Sequence, residues 1–196
     1  MNTKTLTLNF FTVTVSILLA AVSRLLPHPP NFAPMLAIGI FGGALFAKKI
    51  WAFIIPIASI WISDLLINNI VYAAYFDHFV WFYDGFYWQY AVYAIVPLLS
   101  ALLFGKTIKV SRIALMGIGA GILFFLVSNF GVWAGTNMYP HTSNGLLTCY
   151  IMGLPFLKGT ILSNLFYSGI LFGAYYVVER TTILSAPGAG YTWKWI

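Results

Sequence analysis

The sequence has few charged residues and only one cysteine, and each scarcity excludes a class of protein. Only 7% of its 196 residues are charged, whereas charged residues make up about a quarter of an ordinary soluble domain. A soluble globule of this size needs far more polar surface to cover its core. The hydrophobic share of 61% excludes a disordered chain as well, because such chains are too polar to collapse. Cys149 has no second cysteine with which to form an internal disulfide.

Long apolar runs are present instead, and they recur along the whole chain. A helix that crosses the bilayer core needs about 20 apolar residues. We predict helices over the runs 6–26, 34–47, 50–70, 88–104, 113–133 and 160–178. The second run is the shortest, so we expect this helix to tilt or to lie partly under its neighbours. The fold class is therefore predicted to be all-α, with residues 1–196 forming one integral membrane domain of six transmembrane helices.

A further apolar segment, 145–156, precedes the last run and ends near Pro155. With about 12 residues it is too short to span, and a re-entrant or interfacial helix in the last outer loop is predicted. Irregular backbone at membrane depth is tolerated where it lines a wet cavity. We therefore expect a cavity beside this segment.

The basic residues indicate how the helices are oriented. Loops on the cytoplasmic side of a membrane carry an excess of lysine and arginine. If both termini are cytoplasmic, only Arg24 and Lys158 lie outside, each close to a helix end. The inside set is Lys4, Lys48, Lys49, Lys106, Lys109, Arg112, Arg180 and Lys194. Because these residues are scattered and form no dense patch, no nucleic-acid partner is expected.

Two charged residues fall near the outer ends of apolar runs and are expected to pair. A charge inside a span costs about 2.5–3.5 kcal/mol, so it normally faces the bundle interior and has a partner. Asp64 lies in the third run, and Arg24 stands at a similar depth near the end of the first. The pair either locks two helices together or takes part in ligand binding or coupling.

Several polar residues on the outer side are candidate binding residues. The segment 24–34, which we name the Pro-rich segment, contains four prolines in eleven residues and cannot be helical. Its carbonyls, with His28 and Asn31, either line a polar site or form a rigid turn. Asn129 needs hydrogen-bond partners if it is buried, and Trp133 either lines the site or anchors the helix at the membrane interface.

No metal or catalytic motif is present. The residues His28, His78, His141 and Cys149 lie in outer connections without the spacing of a zinc motif. The sequence contains no G-x-S-x-G, Walker loop or H-E-x-x-H, so no metal, cofactor or enzymatic activity is predicted. Glycines four residues apart occur in three runs and favour close helix packing, or contact with a partner protein. They are Gly39 and Gly43, Gly117 and Gly121, and Gly169 and Gly173.

Seven short strings carry a resemblance to a known family. They are S-R-L-L-P-H-P-P-N-F-A-P from residue 23, F-G-G-A from 41, S-D-L-L from 63, S-N-F-G-V-W from 128, Y-P-H-T from 139, G-L-L-T-C-Y from 145 and P-F from 155. Together they resemble a bacterial family of small membrane proteins of unknown function, catalogued as candidate transport proteins. That family is similar in plan to the substrate-binding S components of energy-coupling-factor vitamin transporters, and the resemblance covers about residues 23–173.

The resemblance implies a six-helix bundle in the bacterial inner (plasma) membrane, with a substrate pocket open to the outside. S components usually work with a membrane coupling protein and ATPase subunits, although solitary members resembling cobalamin transporters exist. In such solitary proteins a cysteine can ligate the corrin cobalt, and Cys149 is the candidate here. In the family an acidic residue often stands where this chain has Asn164.

The leading hypothesis is S-component-like uptake of a small nutrient, vitamin or cobalamin-like, from the outer side. The residues expected near the pocket are Arg24, His28, Asn31, Asp64, Asn129, Trp133, Tyr139, His141, Cys149 and Lys158. A second hypothesis is a structural subunit of a larger membrane complex without transport activity. A third is a membrane enzyme or haem protein that uses the outer histidines.

Overall fold

The computed structural model of the chain describes residues 3–105, 107–183 and 192–194, with side chains described from residue 10 to residue 181 and at residue 194. Lys106, one of the predicted inside residues, lies outside this set. The helices are α1 Thr3–Ser23, α2 Met35–Leu45, α3 Lys49–Leu66, α4 Phe86–Leu103, α5 Val110–Gly135 and α6 Ser143–Ile183. A π-helical turn, Ile67–Val71, extends α3, and a 3-10 turn, Ala73–Tyr75, follows it. Strands β1 Thr107–Lys109 and β2 Thr192–Lys194 form one short parallel pair. The prediction of a helical protein is thus confirmed.

Helix α2 lies at the centre of the bundle and contacts all five other helices. It has 11 residues, and residues 36–45 are all buried, as expected of a helix that is apolar on every side. Gly43 allows α4 to approach closely, because a Cβ at this position would lie 2.6 Å from the Cβ of Ser100. The Ser100 hydroxyl donates a hydrogen bond of 2.6 Å to the carbonyl of Ile40. At about 16 Å, α2 is shorter than the bilayer core of about 30 Å.

Four helices are long and apolar enough to cross a membrane. They are Lys49–Val71, Phe86–Leu103, Val110–Gly135 and Ser143–Thr181. Two shorter apolar helices, Phe10–Ser23 and Met35–Leu45, accompany them among the described residues. The length and composition of the four long helices are compatible with a protein embedded in a membrane.

The predicted short helix over 145–156 is not a separate element. It is continuous with the last predicted span in α6, a single helix of 41 residues that is about 60 Å long. Pro155 lies inside this helix and costs one backbone hydrogen bond. The separate-helix prediction was wrong because packing along α5 continues past the proline and outweighs this local cost.

Helices α5 and α6 are antiparallel, and two close approaches fix their register. A Cβ at Gly153 would collide with the Asn129 side-chain amide, and one at Gly121 would lie 3.0 Å from Ile161. Lys158, on α6, lies between these two levels and therefore beside the middle part of α5. The prediction that Lys158 stands near an outer helix end was therefore wrong, and it failed because α6 has no break at which an outer loop could begin.

Candidate functional site

The predicted ion pair between Arg24 and Asp64 is present and nearly buried. The Arg24 Nη2 lies 2.7 Å from the Asp64 Oδ1, and each side chain is only 9% exposed. The Arg24 Nη1 also donates a hydrogen bond to the Ser63 hydroxyl and lies 3.4 Å from the Ile60 carbonyl oxygen. The guanidinium thus joins the residue after α1 to the last turns of α3.

A tyrosine of α4 completes this polar cluster. The Tyr90 hydroxyl donates a 2.6 Å hydrogen bond to the Asp64 Oδ2, so each carboxylate oxygen has a partner. Tyr83, in the loop before α4, donates a 2.6 Å hydrogen bond to Gln89. Burial raises the pKa of the Tyr83 phenol, and the nearby carboxylate of Asp64 raises that pKa further. The phenol therefore stays protonated, and remains a hydrogen-bond donor, to a higher pH than an exposed tyrosine does.

Replacing Tyr90 with phenylalanine tests the contribution of this hydroxyl. Because a hydrogen bond to a charged group contributes about 1.5–3 kcal/mol, we expect the free energy of unfolding to fall by about that amount. The measurement is a reversible SDS titration of the protein in mixed micelles. Tyr87→Phe is the matched control, since the Tyr87 hydroxyl makes no hydrogen bond within the described residues and its side chain is 54% exposed. Equal losses in the two variants would show that the Tyr90 hydrogen bond contributes nothing.

A small cavity of about 40 Å³ lies beside this cluster, under the end of the Pro-rich segment. It is lined by Asn31, Ala33, Met35, Leu36, Tyr93, Phe124, Thr160 and Asn164. The ring of Tyr93 contacts the ring of Tyr90, with 5.5 Å between centroids, so the cavity adjoins the ion-pair cluster. A water molecule needs about 10–15 Å³ of such space, and the cavity can therefore hold water.

Buried polar groups near the cavity are only partly satisfied. The Asn164 side chain is 1% exposed, and its amide nitrogen donates a 3.0 Å hydrogen bond to the Gly117 carbonyl. The Tyr93 hydroxyl and the Arg24 Nε are buried and have no hydrogen-bond partner among the described residues. An unpaired buried group costs about 1–3 kcal/mol. Because Tyr93 lines the cavity, a water molecule or a ligand bound there would remove this cost for the Tyr93 hydroxyl.

The Pro-rich segment covers the cavity and rests on α6. The Ser163 hydroxyl donates a 2.6 Å hydrogen bond to the Ala33 carbonyl. A Cβ at Gly159 would lie 3.0 Å from the Pro30 carbonyl oxygen, so the segment approaches the α6 backbone closely. Asn31 has a positive φ of 56°, a conformation that asparagine tolerates better than most residues. Its exposed side chain forms part of the cavity wall.

A separate group of candidate residues lies where α5 connects to α6. It consists of Asn129, Trp133, His141 and Cys149. The Cys149 thiol donates a hydrogen bond of 3.3 Å to the Asn129 carbonyl. The Trp133 indole donates one of 3.0 Å to the Pro140 carbonyl, and its ring contacts that of His141. None of the four lines the cavity. Among the predicted residues, Asn31 lines the cavity, and Arg24 and Asp64 belong to the adjoining ion-pair cluster. The second group lies elsewhere.

The three remaining candidates do not line the cavity either. His28 is exposed on the Pro-rich segment, with its Nδ1 3.0 Å from the Pro29 carbonyl oxygen. Tyr139 is partly buried in the connection before α6, and Lys158 is exposed on α6. In the part of the chain that the structure describes, no three histidine, cysteine or acidic side chains are grouped closely enough to hold a metal ion.

Sequence reasoning missed Tyr90, Tyr93 and the cavity position of Asn164. The two tyrosines belong to an aromatic-rich run in which no spacing marks them as different from their neighbours. Asn164 did carry a usable signal. An isolated amide in an apolar helix needs a buried hydrogen-bond partner, and here that partner is a backbone carbonyl of α5.

Comparison with known proteins identifies a family but no characterised relative. No curated protein and no solved structure matches the chain. A family model described as a family of unknown function, DUF6580, matches residues 4–186. The chain therefore belongs to the family DUF6580.

Proposed function

We propose that the protein is a transport protein of the bacterial inner membrane that takes up a small nutrient, vitamin or cobalamin-like, in the manner of an S component. The observation that carries the proposal is the cavity under the Pro-rich segment. It lies beside a nearly buried ion pair and a buried tyrosine hydroxyl that has no partner in the part of the chain that the structure describes. Small-ligand pockets combine apolar walls with a few fixed polar groups. This cavity has that composition, with Tyr93 and Phe124 stacked at 5.8 Å.

Movement of the Pro-rich segment would open the site to the outside. At about 40 Å³ the cavity is smaller than the pockets of about 300–1,000 Å³ that hold drug-sized ligands. The ion pair of Arg24 holds the segment near its beginning, and the hydrogen bond from Ser163 holds it near its end. The ring of Phe32 also packs against Phe166 and Tyr167 of α6. We infer that the segment opens by breaking the Ser163 hydrogen bond together with these ring contacts, and that it closes again over the bound nutrient.

We propose six crossings, with both termini in the cytoplasm. Five are made by the four long helices and α1, and the sixth by the short α2, whose residues 36–45 are buried among the other helices and not exposed to lipid. One end of the bundle carries Lys48 and Lys49 at the start of α3, and Lys109 and Arg112 at the start of α5. This excess supports placing that end inside. The Pro-rich segment then lies on the outer side.

A thermal-shift experiment tests the binding proposal. The purified protein is heated with each of a panel of water-soluble vitamins and with cobalamin, and one compound is expected to raise Tm. The variant Asn31→Gly removes the amide from the cavity wall, and glycine accepts the positive φ without strain. We expect this variant to keep the wild-type Tm without ligand and to lose most of the ligand-induced rise.

Asn137→Gly is the matched control, because Asn137 is an exposed residue of the connection before α6 and does not line the cavity. This variant should respond to the compound as the wild type does. An equal response in all three proteins would mean that the compound binds elsewhere. No response to any compound would contradict nutrient binding within this panel.

The alternative of a structural subunit has one observation in its favour. A Cβ at Gly169 or Gly173 would meet no described atom within 4 Å, so these small residues of α6 are open to another helix. The other two glycine pairs pack against helices of the same chain. Gly39 and Gly43 contact α4, and Gly117 and Gly121 contact α6. A membrane coupling protein with ATPase subunits could use the same face. Gentle purification distinguishes the hypotheses: a structural subunit co-purifies with a stoichiometric partner that Gly173→Leu removes, and it binds no nutrient.

A further inference from the structure

A second and much larger hollow lies between α4 and α5, at the basic end of the bundle. It is a groove of about 580 Å³ that shares no lining residue with the cavity under the Pro-rich segment. Its walls are formed by aliphatic and aromatic residues and by Gly119, and the one charged residue among them is Arg112. An apolar groove with a single cation is complementary to an amphiphilic molecule with an anionic end.

The groove opens sideways, towards whatever surrounds the bundle. Leu103 and Leu115 line it and are 57% and 68% exposed. Both helices are among the four that are long and apolar enough to cross a membrane, so the groove faces lipid. A transmembrane helix has a diameter of about 10–12 Å with its side chains, whereas a single acyl chain is slender enough to lie between two neighbouring helices.

The charge of Arg112 has no acidic partner within the described ranges of the chain. The side chain is exposed, and its Nη1 makes one long contact of 3.4 Å with the Leu103 carbonyl oxygen. Most of its five N–H donors are therefore free for a ligand. A guanidinium binds a phosphate through two parallel hydrogen bonds, and Lys109 stands one turn earlier in the same basic region.

We propose that this groove binds an anionic phospholipid, with an acyl chain along the apolar wall and the phosphate on Arg112. The basic end of the bundle, which the proposed topology places in the cytoplasm, meets the leaflet surface where basic pockets between helices bind anionic head groups. The bound lipid fills the space between α4 and α5 and fixes their spacing.

Lipid titration followed by native mass spectrometry tests the head-group contact. Delipidated protein is titrated with phosphatidylglycerol and with phosphatidylcholine of identical acyl chains. We expect tighter binding of phosphatidylglycerol, and Arg112→Gln should weaken it about tenfold, as expected for one lost charge-assisted contact. Lys48→Gln is the control, because Lys48 is an exposed basic residue at the same end and does not line the groove.

A second variant tests the position of the acyl chain. A Cβ at Gly119 would meet no described atom within 4 Å, so Gly119→Leu can add side-chain atoms to the groove without a clash at the Cβ. The Gly119→Leu variant should weaken the binding of both lipids, because its side chain occupies the groove. Gly169→Leu is the matched control, since Gly169 is equally open but lies on α6, away from the groove.

Three results would overturn the proposal. One is equal affinity of the wild type for the two lipids. Another is an Arg112→Gln variant that binds phosphatidylglycerol as Lys48→Gln does. The last is a Gly119→Leu variant that binds lipid as tightly as Gly169→Leu does. The same result would be obtained if a second copy of the chain, and not a lipid, filled the groove.

Discussion

Replacing Asp64 with leucine should lower the free energy of unfolding by about 3–5 kcal/mol. The substitution leaves the guanidinium of Arg24 only 9% exposed and without its carboxylate, and it removes the acceptor of the Tyr90 hydroxyl. A buried charge without a partner carries the desolvation cost without the attraction that offsets it. Arg24→Met should cost a similar amount for the same reason. Both values are measured by SDS titration in mixed micelles.

The double variant Arg24→Met/Asp64→Leu should recover most of this loss, because an apolar pair of similar volume often replaces a buried ion pair without net cost. Asp84→Leu is the control, since Asp84 is exposed in the loop before α4 and its replacement should leave stability nearly unchanged. If the free energy of unfolding of the double variant fell by the sum of the two single losses, the two charges would not be coupled.

The same double variant separates the two roles that the ion pair could have. If the pair only locks α1 to α3, the refolded double variant binds the nutrient with wild-type affinity. If the pair contacts the ligand or moves the Pro-rich segment, the variant folds but its ligand-induced rise in Tm is lost. The thermal-shift measurement used for Asn31→Gly gives this result directly.

Replacing Gly43 with leucine should destabilise the bundle by about 3 kcal/mol or more. A Cβ at this position would collide with the Pro97 carbonyl and lie 2.6 Å from the Ser100 Cβ. The first of these is a backbone atom, which cannot rotate away as a side chain can. Separation of α4 from α2 would also break the hydrogen bond from Ser100 to the Ile40 carbonyl.

Stability and the yield of monodisperse protein measure this effect. Gly39→Ala, on the same face of α2, should be milder, since its Cβ would meet only side-chain atoms, the nearest being the Pro97 ring atoms at 3.3 Å. Gly173→Leu is the open control, with no described atom within 4 Å of its Cβ position. If Gly43→Leu were no less stable than Gly173→Leu, α2 would not be the tightly packed centre of the bundle.

The apolar runs were enough to predict α3, α4 and α5, whose observed ends lie within a few residues of the predicted ones. Their length and hydropathy depend on local composition, which the sequence contains in full. α6 was predicted less well, because Pro155 indicates a break and only contact with α5 explains why the helix continues. The run that contains α2 is apolar enough for a span, but its helix is a buried core element of 11 residues.

The candidate site was predictable only in part. Arg24 and Asp64 were expected to pair because two charges in apolar runs at similar depth need each other. Tyr90 was not expected, since nothing in the sequence shows which α4 residue faces Asp64. Asn129 was predicted to lie near these residues because all of them were expected on the same side of the membrane. A shared side fixes the depth of a residue but not which helices are neighbours, and the structure places Asn129 against α6.

Mass spectrometry of the small molecules released by denaturing the purified protein tests the central claim most directly. The account expects one water-soluble compound, present in near-stoichiometric amount in the wild type and in Asn137→Gly and strongly depleted in Asn31→Gly. Release of only lipids and detergent from all three proteins would contradict a nutrient site under the Pro-rich segment.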